Sequence, residues 1–363
     1  MSGAVVNDQK LKNFTSQVFQ KLGISKEDSD ITADVLVVSD LRGIPSHGVA
    51  RLKRYYDGIK NGLMIPDAKP TIEKETPSTA AINANNGLGQ PAGYFGMNLA
   101  IQKAKESGLG FVTVAHSNHY GIAGYYSMMA LKEGNLIGIS MTNSAPLVVP
   151  TFSKDMTIGT NPISLAVPTA KERPFVLDMA TSVVPRGKFE VYERENKPVP
   201  AGWAVDEHGV PSTDTARIVQ NMAKTLGGGI LPLGGAGELQ SGHKGYGMSL
   251  MVDILSGVLS GAKFGPFVKA NAGGEKFINV GHFFGVIKID NFIDLNEFKS
   301  TMDNMIQTLK NSQKAKGENR VFIHGEKEFE KYDDYKKNGV PLQEKVVASM
   351  KQMAQETGVK YDL

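Results

Sequence analysis

The sequence predicts an α+β protein in which a helical domain, assembled from both ends of the chain (residues 1–75 plus 296–363), surrounds a mixed α/β core domain of residues 76–295. Two observations predict it. Apolar residues recur with a 3.6-residue period near the beginning and the end of the chain, whereas the middle carries short β-branched runs alternating with helical patterns.

Leu11, Phe14, Val18, Phe19 and Leu22 share one helical face, and Gly23 supplies the stop. Ser25 with Asp28 resembles a capping box opening a second helix, whose stripe of Ile31, Val35, Val38 and Leu41 runs until Gly43. A third helix is expected from Ser46, just after Pro45, to about Gly62, with Val49, Leu52, Tyr55, Tyr56 and Ile59 facing inward. The proline-rich IPDAKP then marks a boundary. Strands are expected at 111–114, 136–141, 163–167, 175–177 and 283–289, with helices around 92–107, 122–133 and 246–260. Beyond about residue 296 polar amphipathic helix returns. Gly339-Val340-Pro341 reads as a break before a last helix carrying Val346, Val347, Met350 and Met353.

Composition narrows the chemistry. Forty basic against thirty-seven acidic residues leave a formal charge of +3. Without long runs of either sign this gives no footprint for nucleic acid, so a small-molecule substrate is expected. The absence of cysteine excludes disulfides, thiolate nucleophiles, zinc–thiolate sites and Fe–S clusters, and fits a cytoplasmic protein. MSGAVVNDQKLKNF lacks a charged-then-apolar leader and no apolar run spans a bilayer, so no membrane partner is expected.

Several motifs could carry chemistry. Pro45-Ser46-His47-Gly48-Val49-Ala50-Arg51 is expected to set His47 on the first turn of a helix, with Ser46 as its cap and Arg51 on the same face, where a guanidinium grips a carboxylate with two bonds. The bland alternative is a capped surface helix. His116-Ser117-Asn118-His119 follows a strand, the usual mounting for a functional imidazole; its H-x-x-H spacing without a nearby carboxylate is a poor metal set, and no metal is expected. Asp178 ends the strand-like FVLD and could either orient an imidazole or cap a helix. Gly87-Leu88-Gly89-Gln90-Pro91-Ala92-Gly93 has the wrong spacing for a dinucleotide fingerprint, which argues against a Rossmann fold. Gly234-Gly235-Ala236-Gly237, leading to Gly242-His243-Lys244-Gly245, could cradle phosphates or merely connect.

Together the stretches SDLRGIPSHGVARL, HSNHYGIAGYY, GTNPISLAVP, VLDMATS, RGKFEVYERENKPVPAGWAVDEHG, LPLGGAGELQSGHKGYGMSLMVDILSGVLSGA and GHFFGVIKID resemble the type-2 malate/L-lactate dehydrogenases, a family that also holds ureidoglycolate, sulfolactate and diketogulonate enzymes. The resemblance covers nearly the whole chain. It implies a non-Rossmann nicotinamide-binding fold of the malate/L-lactate dehydrogenase type 2, a homodimer, and NAD or NADP as cofactor. By the same resemblance His47 and His119 are catalytic candidates, with Asp178 as the partner of His47, and Ser46 and Arg51 hold the substrate carboxylate. Ser144, Asp178, Met179, Ala180, His243, Lys244, Gly325 and Glu326 match segments that line the cofactor in relatives. One departure is His324, where the family usually has proline before the glycine.

The expected reaction moves a hydride between NAD(P) and a small 2-hydroxy or 2-oxo acid. L-malate/oxaloacetate is the first expectation, and L-lactate, sulfolactate, ureidoglycolate or another 2-oxo or imino acid the alternative. A histidine exchanges the proton of the C2 hydroxyl, and a carboxylate such as Asp178 is expected to raise its pKa. Two other classes compete: a metal-dependent lyase or hydrolase using His47, His116 and His119, and a non-catalytic nucleotide-binding module.

Overall fold

The computed structural model describes residues 3–269 and 274–363. Near the amino end, strand β1 (Ala4–Val6) and helices α1 (Asp8–Lys21), α2 (Lys26–Leu41) and α3 (Leu52–Lys60) pack with the late elements α10 (Glu326–Asn338), β11 (Val340–Leu342) and α11 (Glu344–Thr357). Caps match their sequence signals: Ser25 Oγ accepts the Asp28 N–H, and Gly23 and Gly43 take the left-handed conformation that ends a helix. One core joins both ends, with Leu11, Phe14, Leu52 and Tyr55 from the first and Val340, Met350 and Met353 from the last. β1 pairs antiparallel with β11, so the segment read as a break before the last helix is itself a strand. Tyr56 donates to Glu356 at 2.6 Å across the same seam.

A seven-stranded sheet forms the centre, in the order β2 (Thr71–Glu75), β3 (Thr79–Asn83), β4 (Leu109–Ser117), β10 (Val280–Lys288), β5 (Leu136–Thr142), β6 (Ile163–Val167), β7 (Phe175–Met179). Only β3 and β4 run parallel, joined by the crossover helix α4 (Gly89–Ser107). Because strand side chains alternate, Val112, Val114, Phe284 and Val286 turn to α4 and α5 (Ala123–Met129), while Phe111, Phe283 and Met141 turn to the layer of α8 (Gly242–Asp253). A third cluster gathers Val148, Ile158, Ile230 and Phe189 around α6 (Arg186–Arg194), α7 (Thr215–Lys224) and the short antiparallel pair β8 (Ala204–Val205) and β9 (Gly229–Ile230), and α9 (Leu295–Lys310) follows β10. The architecture is the α+β arrangement expected: helices from both ends around a mixed core.

Candidate active site

The segment between α2 and α3 departs from its expectation. Ser46–Gly48 form a turn, and helical structure begins only at Val49, as the 3-10 turn Val49–Arg51 that leads into α3. The cap is Asp40 of α2, not Ser46: its carboxylate accepts the Val49 N–H at 2.8 Å. Gly48 is required there, since a Cβ would lie 2.0 Å from the Asp40 carboxylate. Asp40 is buried, and burial pushes its carboxyl up to about 7 against the opposing pull of the Val49 N–H. Ser46, released from capping, places its Oγ 3.0 Å from His47 Nδ1, and its carbonyl accepts Arg51 Nε at 2.7 Å.

The turn brings His47 onto His119, with ring centroids 5.4 Å apart and 24° between planes. His119 follows the end of β4, and its loop is pressed against the start of α4. A Cβ on Gly89 would lie 2.1 Å from the Asn118 carbonyl, and Asn118 Nδ2 donates to the Gly87 carbonyl at 2.8 Å. The first glycine cluster thus serves close packing of the loop that carries His119. Behind the loop His282 is fully buried on β10, with Nε2 2.7 Å from Ser117 Oγ and Nδ1 2.7 Å from Thr142 Oγ1, tying β4 to β5.

On its far side His119 meets Tyr55, whose hydroxyl is 2.6 Å from Nδ1, and the Gly121 N–H donates to the same nitrogen at 3.3 Å. Each imidazole therefore has Nδ1 beside a hydroxyl, a group that both donates and accepts, and Nε2 is the atom left to exchange a proton. Burial lowers His47 to about 4, aided by Arg51 and Arg54. His119 falls well below its ordinary value through burial, then Arg54 and His47. Both shifts favour the neutral rings, which can accept a proton, and an anion arriving beside the pair would favour the charged form.

Asp178 does not raise either histidine. No hydrogen bond or ion pair joins it to His47 or His119 among the described residues; it accepts the Gly124 N–H at 2.8 Å and caps α5, the alternative its strand-end position left open. Its carboxyl is raised to about 6 by burial, opposed by the Gly124 bond and Arg42.

Asp178 instead lines a cavity of about 250 Å³ with Arg42, Val176, His324, Gly325 and Lys327. Gly325 is left-handed at φ +94°, and a Cβ there would lie 3.0 Å from Val176. His324, standing where proline was expected, lends its carbonyl to the Val176 N–H at 3.0 Å and packs its ring on Phe175. Glu326 is spent on structure, pairing with Lys310 at 2.7 Å and accepting the Ile323 N–H. Met179 and Ala180 continue from Asp178 to Thr181, whose N–H donates to the Thr160 carbonyl, while Thr160 N–H donates to Ser144 Oγ at 3.1 Å. Leu233 N–H donates to the Thr181 carbonyl, which sets the second glycine cluster beside this segment; His243 and Lys244 are exposed on the first turn of α8. Cations, a close-fitting glycine and a polar wall suit one end of a dinucleotide.

The stacked imidazoles with Arg51, and the cavity lined by Arg42, Asp178 and Gly325, agree with comparison to known proteins. The family model described as malate/L-lactate dehydrogenase matches residues 6–351. The chain belongs to this family. A malate dehydrogenase of Pyrococcus horikoshii is 51% identical, over 98% of this chain and 96% of that one. A malate/(S)-sulfolactate dehydrogenase of Methanothermus fervidus is 39% identical over 98% and 99%. The crystal structure of a malate dehydrogenase from Entamoeba histolytica superposes with a TM-score of 0.95 at 38% identity, covering 100% of both chains. The protein is accordingly a dehydrogenase with the non-Rossmann fold of the family.

Tyr55 and Arg54 border the histidine pair of this dehydrogenase without a motif to mark them. Tyr55 has the inward-facing pattern of a core residue, which it also is; its spacing of four from Arg51 is the available signal. Among the described residues no three His, Asp or Glu side chains cluster as a metal-ligand set. Nor is any helix among them long and apolar enough to cross a membrane.

Proposed function

We propose that this dehydrogenase interconverts L-malate and oxaloacetate with NAD or NADP, in the cytoplasm and as a homodimer. The observation that carries the reading is the stacked pair His47 and His119 beside Arg51, an acid–base group next to a carboxylate grip. Malate is the substrate named for the relative at 51% identity.

The chemistry a bound nicotinamide supplies is hydride exchange at C2 of the acid. Asp178 and Gly325 would hold it, with Arg42 and Lys327 near its charges; Met179, Ala180, Ser144, His243, Lys244 and Glu326 belong to the adjoining segments. The terminal nitrogens of Arg51 fix the substrate carboxylate, with Ser46 beside them. With the ring's own proton on Nδ1 and donated to the neighbouring hydroxyl, Nε2 of His47 or His119 takes the C2 hydroxyl proton during oxidation and returns it during reduction.

The homodimer reading rests on an apolar surface formed by Met251, Ile254, Val258, Leu259, Phe264 and Phe267, where Ile254, Val258 and Leu259 are 55–60% exposed. A second copy of the chain covering that face would remove it from water. Light scattering coupled to gel filtration should return twice the chain mass of 39.1 kDa.

The test of the reaction is loss of absorbance at the reduced-nicotinamide band, with NADH and then NADPH, for oxaloacetate, pyruvate and sulfopyruvate. Turnover fastest with oxaloacetate is expected. Faster turnover of sulfopyruvate or pyruvate would reassign the substrate, and silence of folded protein across the panel would overturn the reading.

A further inference from the structure

Arg51 and Arg54 lie three residues apart across the junction of the turn Val49–Arg51 and α3, so their side chains are neighbours on one face. Tyr55, four residues after Arg51, lies on the same side of the helix as Arg51, and its hydroxyl touches His119 Nδ1. Arg51 spends only Nε on the Ser46 carbonyl. Arg54 is exposed and has no hydrogen-bond or ion-pair partner among the described residues. Its charge nonetheless reaches His47, His119, Tyr55 and Arg51, each of which it disturbs.

The neighbouring acids do not balance these cations. Glu190 pairs with Arg186 at 3.2 Å, Asp57 with Lys53 at 2.9 Å, and Asp40 is turned to the Val49 N–H. One carboxylate bound at Arg51 would leave Arg54 uncompensated beside two neutral imidazoles. A substrate with two anionic groups compensates both cations at once.

We propose that Arg54 is a specificity-determining residue: it holds the distal acidic group of a dianionic 2-hydroxy or 2-oxo acid, while Arg51 holds the carboxylate next to the reacting carbon. The distal group is a carboxylate or a sulfonate, since both present oxygen acceptors to a guanidinium. This inference rests on the reading of the histidine pair as the active site.

The experiment compares wild type, Arg54→Gln, Arg54→Lys and Arg51→Gln on oxaloacetate and on 2-oxobutanoate, which has the same carbon count without the distal carboxylate. The second compound is measured as substrate or as competitive inhibitor. Arg54→Gln should lower kcat/KM for oxaloacetate about 10- to 100-fold, chiefly through KM, and shrink the preference for oxaloacetate by the same factor. Arg54→Lys should recover most of it, because a point charge suffices at an exposed position. Equal losses on both acids, or no loss on either, would overturn the proposal. Arg51→Gln should weaken both acids; if it weakens neither, the placement of the active site itself falls.

Discussion

Replacing Tyr55 by Phe removes one oxygen atom from the site and leaves the ring in its core. When His119 carries the proton, its Nδ1–H must find an acceptor. Gly121 cannot serve, since its N–H is itself a donor pointing at the same nitrogen from 3.3 Å, so the Tyr55 oxygen at 2.6 Å is what remains. A hydrogen bond to a charged group contributes about 1.5–3 kcal/mol, and about 1.4 kcal/mol is tenfold in rate. Tyr55→Phe should therefore cost about 10- to 150-fold in kcat for oxaloacetate reduction, with KM little changed. The alkaline limb of the kcat profile should move about 1–2 pH lower, because reduction uses the charged imidazole and that is the form that loses support. The assay is steady-state reduced-nicotinamide oxidation from about pH 5 to 9, with a His119→Gln and a double variant alongside. Loss in the double variant should match that of His119→Gln alone, since both act through one group. Unchanged kcat and pH profile in folded protein, or losses that multiply, would refute the role given to Tyr55.

Gly48→Ala drives a Cβ into the Asp40 carboxylate at 2.0 Å and should cost about 1–3 kcal/mol in a denaturant titration, with kcat falling as His47 is displaced. Asp40 gives a pH test: its folded pKa, raised to about 7, lies above the ordinary 3.8, so its contribution is present in full below about pH 4 and is lost as pH rises through 7. Thermal melts of Asp40→Asn, which keeps an acceptor for Val49, should decline less over that window than wild type. Asp178→Ala strips the acceptor from Gly124 at the start of α5 and should lower stability by about 0.5–2 kcal/mol in the same titration, with Asp178→Asn losing less.

Much of this was legible from residues alone, and the failures have physical reasons. Helix α1 was readable because it buries one stripe and has a side-chain cap; α2 has its cap but is buried on most sides, with Ala33, Leu36 and Val37 inside and Ile31 and Val38 of the expected stripe only half-buried. β2 was not readable, because all five of its residues are exposed and an edge strand without a buried face shows no alternation. In α6 only Phe189 is buried, too little to make a period, whereas Ile218 and Met222 after the Asp214 cap were a usable signal for α7. In the site, PSHG and SNHYG each pointed to a histidine, but nothing in either motif says that the two rings stack. That depends on the seating of the Ser46–Gly48 turn by Asp40, and burial of a lone aspartate is invisible before folding. The strand-end position of Asp178 marks a carboxylate in need of a partner, yet that partner is a backbone N–H from a distant helix, which pattern reading cannot choose over an imidazole.

The seam between β1 and β11, with Tyr56 bonded to Glu356, also has a bearing on biosynthesis. α3, which carries Tyr55 and abuts the turn bearing His47, rests on a core completed by Met350 and Met353, which are translated long after it. The central strands can pair while the ribosome is still reading, but the helix beside the stacked histidines gains its backing only once those residues have emerged. A nascent chain stalled before residue 340 would thus own a sheet and no working catalyst, and an unfinished copy would have no means of consuming substrate.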